Sequence, residues 1–277
     1  RAGALWRPPK DADCHQLQTV YIGENVSAIN NGAFSGCNSL TSVVFAPNSN
    51  LHHIDNHTFF NCANLTNIVL PAELKTIGYK AFNECFALNE IIIPPKVTAI
   101  HDSAFFNCPA LTKLTLSDSL QTIGTGAFNK TNIDTLTIPS NVSSIGKNAF
   151  INCSNLRMLN YNAKEIEFFP ARPNHVFPSN QYIKLNIGEG VEVIPDYFFE
   201  QNEHLDTLIL PSSLISVGNN AFIRCEELKF LQLNEGLVLI QDMSFKGCRN
   251  LDTIILPNSL IKIGLSAFED CDNIVQV

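Results

Sequence analysis

Residues Leu251 to Phe268 read LDTIILPNSLIKIGLSAF, and Cys271 follows three residues later. Its apolar frame is Leu251, Ile254, Leu256, Pro257, Leu260, Ile263, Gly264, Ala267 and Phe268. The same frame stands one repeat earlier at Leu228, Leu231, Leu233, Leu237, Ile240 and Phe245. It stands again at Leu205, Leu208, Leu210, Pro211, Leu214, Val217, Gly218, Ala221 and Phe222. Working outward, the frame phenylalanines are Phe34, Phe59, Phe82, Phe105, Phe128, Phe150, Phe177, Phe199, Phe222, Phe245 and Phe268, most of them 23 residues apart. A fixed period over a whole chain means stacked units rather than one globular core.

Within a unit, the L-x-x-I-x-I segment alternates at period two and is rich in β-branched residues, so it reads as a short strand. Pro71, Pro94, Pro139, Pro211 and Pro257 end five of these strands, because proline has no N–H for a ladder. Gly78, Gly124, Gly146, Gly218 and Gly264 read as permissive backbone for a turn. The x-x-Ala-Phe-x-x-Cys segment spaces its apolar groups like one helical or 3₁₀ turn. One such unit has too few large apolar side chains to offset the entropy of ordering its backbone, so the units must stack.

Departures from the period are local. The step from Phe34 to Phe59 is 25 residues and adds a turn at Ala46 to Asn50; the steps after Phe128 and Phe177 are 22. The step from Phe150 to Phe177 is 27 residues and carries an irregular insertion at 162–175. Residues 1–13 do not fit the repeat and read as an N-terminal cap, with Leu5 and Trp6 covering the first unit, and residues 14–277 read as about eleven repeats. The chain stops at Val277 inside what reads as a further strand. That edge predicts either a longer array or self-association through its unpaired backbone groups.

The repeat L-x-x-I-x-I-P-x-x-V/L-x-x-I-G-x-x-A-F-x-x-C-x-x, running from Cys14 to Val277, resembles the BspA-like class of leucine-rich repeats. The resemblance implies a secreted or surface-anchored protein of host-associated microbes, used in adhesion or in binding host proteins. The expected fold is an α/β repeat: a curved, right-handed leucine-rich-repeat solenoid with a parallel β-sheet on its concave face. Short helical or 3₁₀ turns are expected on its convex face.

The nine cysteines, Cys14, Cys37, Cys62, Cys85, Cys108, Cys153, Cys225, Cys248 and Cys271, all occupy one repeat position, which Asn202 fills in a tenth unit. Parallel Cβ vectors on neighbouring rungs sit farther apart than a disulfide prefers, which favours buried free thiols. Some disulfides and a metal role are the alternatives. His53 and His57 have an H-x-x-x-H spacing but no accompanying HExxH or paired C-x-x-C, so a zinc site is disfavoured. Gly124-Thr125-Gly126 and Gly188-Glu189-Gly190 lack the third glycine of a nucleotide loop. No Ser-His-Asp constellation can be placed, so no catalytic, cofactor or metal residue is assigned and no enzyme is expected. Six Asn-x-Ser/Thr sequons occur, at Asn25, Asn56, Asn64, Asn129, Asn141 and Asn152; several are expected by chance in an asparagine-rich chain, and glycosylation is a weak prospect.

A net charge of -8 makes nucleic acid and anionic membranes poor partners, since both demand clustered Lys and Arg. No run approaches the ~20 apolar residues of a membrane-spanning helix. Binding then falls to the outward strand positions. One outward row begins with Tyr21, Val44, Val69 and Ile92, an apolar stripe that either marks a partner or reflects the ordinary strand preference for β-branched residues. Phe168 and Phe169 in the insertion form a second candidate, either folded back or projecting as an anchor. The reading is a non-catalytic cell-surface or secreted module that binds a protein or glycan, including host extracellular matrix. Its rival is a structural spacer that displays another domain.

Overall fold

In a computed structural model of the chain, residues 14–164, 166 and 175–275 are described. The proposed cap at 1–13 lies outside them. The architecture is a stack of parallel coils, each contributing two short strands, and it falls into two compact units. One comprises residues 1–134 and 148–155, the other 135–147 and 156–277.

In the first unit, one row of strands is Thr19–Ile22, Ser42–Phe45, Asn67–Ile68, Glu90–Ile92 and Lys113–Thr115. A second row is Ala28–Ile29, His53–Ile54, Thr76–Ile77, Ala99–Ile100 and Thr122–Ile123. Paired neighbours run in parallel, with Tyr21 opposite Val44, Val43 opposite Ile68, and Ile54 opposite Ile77, and the first row breaks between Asn67–Ile68 and Glu90–Ile92. In the second unit the corresponding rows are Thr135–Ile138, Met158–Tyr161, Lys184–Ile187, Thr207–Ile209 and Phe230–Gln232, and Ser144–Ile145, Val193–Ile194, Ser216–Val217, Leu239–Ile240 and Lys262–Ile263. Between the two strands of a coil the frame proline closes the turn. Its carbonyl accepts from the N–H three residues on, as in Leu74 to Pro71 at 3.1 Å, Val97 to Pro94 at 3.1 Å and Leu214 to Pro211 at 3.1 Å. Alternation then does the sorting, because successive strand side chains point to opposite faces. Val43, Ile68 and Ile91 are buried inward while Val44, Val69 and Ile92 face out.

The Ala-Phe segment is not helical, which corrects the expected helical or 3₁₀ face. Among the described residues the single helical piece is the 3₁₀ turn Cys14–Gln16. Two left-handed residues instead bracket each segment. In the first unit these pairs are Gly32 and Gly36, His57 and Asn61, Lys80 and Glu84, Ser103 and Asn107, Gly126 and Lys130, and Asn148 and Asn152. In the second they are Tyr197 and Gln201, Asn220 and Arg224, Met243 and Gly247, and Ser266 and Asp270. A helix cannot propagate through a positive φ every fourth residue.

The left-handed residues turn alternate N–H groups out of the coil. Lys80, Phe82 and Glu84 donate to Asp102, Ala104 and Phe106 of the next coil at 3.1, 2.7 and 2.9 Å. Ala81, Asn83 and Cys85 donate within their own coil to Gly78, Lys80 and Phe82 at 3.2, 3.3 and 3.3 Å. The segment is thus a third coil-to-coil ladder made of turns. A left-handed non-glycine residue costs about 1–2 kcal/mol, and the buried inter-coil bonds offset that cost. Behind the ladder the frame phenylalanines stack face to face. Phe59, Phe82, Phe105 and Phe128 are fully buried, with successive ring centroids 5.2, 5.1 and 5.2 Å apart.

The glycines have a different reason from the one the sequence suggests. Gly78, Gly124, Gly218 and Gly264 are not among the positive-φ glycines. A Cβ on Gly124 would lie 2.5 Å from the Asp102 nitrogen, and one on Gly264 would lie 2.5 Å from the Asp242 nitrogen. What requires glycine is the close approach of the preceding coil. There Asp102 Oδ1 accepts the Thr125 N–H at 2.7 Å and Asp242 Oδ1 accepts the Leu265 N–H at 2.8 Å. Gly124→Ala is therefore expected to cost about 1–3 kcal/mol, whereas Gly23→Ala, whose added Cβ meets nothing within 4 Å, should leave the urea midpoint unchanged. Equal midpoints for the two variants would contradict the close-approach account.

Candidate functional site

The apolar outward positions of the first unit lie side by side on its strand row. Tyr21 is 78% exposed, Val44 43%, Val69 78% and Ile92 58%. Tyr21 and Val44 face each other on paired strands, where neighbours are about 4.8 Å apart, and Val69 and Ile92 take the same repeat position in the next two coils. Inward neighbours such as Val43 and Ile91 fill the core, so the outward side chains carry no packing duty. Next to Val44 and Val69 lies a cavity of about 680 Å³, which Ser42, Phe45, Asn48, Asn67 and Glu73 also line. The extra turn of the 25-residue step walls it. Ser49 N–H bonds Ala46 O at 3.0 Å, and Asn50 N–H reaches back to Glu24 O at 3.1 Å. At the rim, the exposed Lys96 ammonium bonds Glu73 and holds its carboxyl below the usual carboxylate range. An apolar floor, several amides and one ionised carboxylate can accept a ligand that is partly apolar and partly a hydrogen-bond donor.

The outward row of the second unit differs in chemistry. Asn186 Nδ2 donates to Asn160 Oδ1 at 2.8 Å, and Asn160 Nδ2 donates to Thr137 Oγ1 at 3.1 Å. These polar groups bond one another along the ladder, which leaves fewer of them for a partner. Ile209 and Ile255 are exposed beyond them. Phe168 and Phe169 lie outside the described residues, so the second sequence candidate is not placed here.

His53 and His57 do not converge on a site. His53 Nδ1 is 2.9 Å from Thr76 Oγ1, and the His57 ring packs edge-on to Tyr79 at 5.1 Å between centroids. Among the described residues no group of three or more His, Cys, Asp or Glu is placed to hold a metal.

The cysteine slot has a definite structural role. Its thiol donates to the carbonyl of the frame phenylalanine one coil back. Cys62 reaches Phe34 O at 3.1 Å, Cys85 reaches Phe59 O at 3.3 Å, Cys108 reaches Phe82 O at 3.1 Å and Cys225 reaches Phe199 O at 3.3 Å. Where cysteine is absent the contact changes. Thr131 Oγ1 donates to Phe128 O of its own coil at 2.8 Å, and Asn202 Nδ2 reaches Pro178 O, the residue after Phe177, at 3.5 Å. Sequence reading found the Asn202 replacement and missed Thr131, although it stands three residues after Phe128 as the cysteines stand after their phenylalanines. One pair departs from the favoured free thiols. Cys14 and Cys37 form a disulfide with Cα atoms 5.0 Å apart, and seven cysteines are free. Cys14 lies in the 3₁₀ turn rather than behind an Ala-Phe segment, so the parallel-vector argument does not apply to it.

Burial, the larger cause, pushes the Cys62, Cys108 and Cys225 thiols up to about 12 from an ordinary value of 9.0. The folded state therefore holds these protons more tightly than the unfolded chain. Their contribution to stability is whole below 9.0 and is lost as pH rises through about 12. Urea melts of the wild type should accordingly lose stability more steeply above pH 9.0 than melts of Cys108→Ala, by up to about 1.4 kcal/mol per pH unit. Parallel pH curves would contradict the assignment.

No curated protein sequence matches the chain. Among solved structures it is similar to a leucine-rich cell surface protein of Faecalibacterium prausnitzii, with 28% identity and a TM-score of 0.51 over 93% of this chain and 71% of that one. It is also similar to a leucine-rich repeat protein of Bacteroides ovatus, at 23% identity and a TM-score of 0.40, over 96% and 85% of the two chains. A third similarity is to the pneumococcal vaccine antigen PcpA, at 23% and 0.45, over 89% of this chain and 58% of that one. A family model described as the BspA type leucine rich repeat region matches residues 12–130, 45–157 and 172–277. With its period, its stacked parallel coils and the family-model match in agreement, the chain belongs to the BspA-type leucine-rich repeat family.

Proposed function

We propose that this chain is a non-catalytic cell-surface or secreted recognition module that binds a protein ligand through the outward row Tyr21, Val44, Val69 and Ile92 and the cavity beside it. The observation that carries the reading is the contiguity of that row, whose four large side chains in successive coils are exposed while their inward neighbours fill the core. Contiguous exposed apolar surface is the kind that a partner covers. Aromatic and β-branched side chains held on a rigid ladder lose little entropy on binding. Membership of the repeat family supports the reading, as does similarity to a protein described as a cell surface protein. No helix among the described residues is long and apolar enough to cross a membrane.

Adhesion to host extracellular matrix is the setting in which such a module would act. The test is a surface-binding assay of the purified chain against immobilised matrix proteins, with a glycan panel alongside. The double variant Val69→Lys with Ile92→Lys places two charges on the row without touching the core, so its thermal melt should match that of the wild type. Its saturable binding is expected to fall at least tenfold, the order of effect that loss of an interface anchor produces. Undiminished binding by the folded variant would move the site elsewhere. Binding by neither protein would favour a spacer that displays another domain.

A further inference from the structure

The cavity beside Val44 and Val69 opens where a strand ladder stops. Ser42–Phe45 pairs along its whole length with Thr19–Ile22. On its other side it pairs only at Ser42 with Asn67 and at Val43 with Ile68. The space of about 680 Å³ begins there, lined by Val44 and Phe45 from one coil and by Val69 and Leu70 from the next. A backbone acceptor loses its usual donor at the same place. Ala46 N–H donates to Ile22 O at 2.9 Å. One coil on, the register puts Pro71 where that donor stood, next to Phe45 O, and proline has no N–H to give.

The polar lining is uncommitted and carries no free charge. Asn48 and Asn67 are exposed, and neither amide bonds another side chain or backbone group among the described residues. Glu73 is the one charged side chain among the described lining residues, and the Lys96 ammonium neutralises it at 2.7 Å. A ligand for this space is therefore uncharged. It needs an apolar group for Val44, Val69 and Phe45, a donor for Phe45 O, and groups that both give and take hydrogen bonds for the two amides. A purely apolar side chain would cover these polar groups and leave them unpaired. An ionic group would find no free counter-charge. The volume lies within the range of about 300–1,000 Å³ that small-molecule sites occupy.

We propose that this cavity is a binding site for a neutral N-acetylated hexosamine, carried by the protein ligand that the outward row engages. The acetamido group supplies the required order of groups. Its methyl packs on Val44 and Val69, and its N–H donates to Phe45 O. The ring hydroxyls donate to and accept from Asn48 and Asn67, whose amides hold two donors and an acceptor each. The wall that brings Asn48 is the turn added in the one 25-residue step of the chain, so the site belongs to this pair of coils rather than to the repeat in general. The inference rests on the reading of the row as a protein-binding face and makes its ligand a glycoprotein, with the row meeting the polypeptide and the cavity the sugar.

The test is saturation-transfer NMR on the purified full chain with free N-acetylglucosamine, and with glucose as the comparison sugar. The acetyl methyl is expected to give the strongest signal, and glucose to bind at least tenfold more weakly. Asn48→Ala with Asn67→Ala should abolish the transfer while keeping the wild-type thermal melt, because both side chains are exposed. Ile92→Lys, which does not line the cavity, should keep the sugar signal and lose binding to the immobilised matrix proteins. No transfer to N-acetylglucosamine, equal binding of glucose, or a signal that survives the double alanine variant would overturn the cavity assignment. The row reading fails by a different result, undiminished matrix-protein binding by Ile92→Lys, and the glycoprotein ligand falls with it.

Discussion

The contact between one frame phenylalanine and the next supports the rest of the structure. In the first unit the rings of Phe34, Phe59, Phe82, Phe105, Phe128 and Phe150 lie nearly parallel, with centroids 5.1 to 5.5 Å apart. In the second, Phe222, Phe245 and Phe268 do the same at 5.4 and 5.3 Å. That spacing is close to the separation of paired strands, so ring stacking and backbone pairing can be satisfied together. Rings such as Phe82 and Phe105 each stack between the rings of the two adjoining coils. The carbonyl of a frame phenylalanine such as Phe82 takes the N–H of its own cysteine slot, Cys85 at 3.3 Å, and the thiol of the next, Cys108 at 3.1 Å. Stability in such an array is a sum of nearest-neighbour terms.

This division of labour explains where recognition can reside. Inward strand residues, frame phenylalanines, cysteine slots and the Asp or Asn at Asn56, Asp102, Asp196 and Asp242 are all committed to coil-to-coil contacts. Outward strand positions lie outside the core and vary from Tyr21 through Val69 and Thr137 to Asn186, although Thr137, Asn160 and Asn186 bond one another across coils. Variation without structural cost is what a binding surface needs. The extra turn at Ala46 to Asn50 gives one part of that surface relief, because two added residues leave the register of Val43 with Ile68 intact while walling a cavity beside Val44 and Val69.

Much of the coil was legible in the sequence, because period-two alternation in segments such as Leu208-Ile209-Leu210 reports burial directly and the period reports stacking. The turn was not. Ala81, Phe82 and Cys85 have the apolar spacing of a helical turn, and a side-chain pattern carries no record of φ. One signal was present. The bracketing positions are unusually often Gly or Asn, as at Gly32, Gly36, Asn61, Asn107, Gly126, Asn148, Asn152, Asn220 and Gly247, the residues that tolerate the left-handed region best. It is diluted by Lys80, Glu84, Tyr197 and Met243, which show no such preference and are held there by the ladder. Gly124 was assigned to a turn for a related reason. The Asp102 backbone that forbids its side chain belongs to the preceding coil, outside any single repeat. The exposed row from Tyr21 to Ile92 was readable because its in-and-out assignment needs only local alternation.

The central claim is that each coil is held mainly by its two neighbours. Hydrogen exchange followed by mass spectrometry on Phe105→Ala, compared with the wild type, tests it most directly. Removing one ring from the stack should speed exchange in the peptides around Phe82, Phe105 and Phe128 while leaving those around Phe222 and Phe245 as protected as before. Loss of protection confined to the coil of Phe105, or spread evenly over the whole chain, would contradict the account.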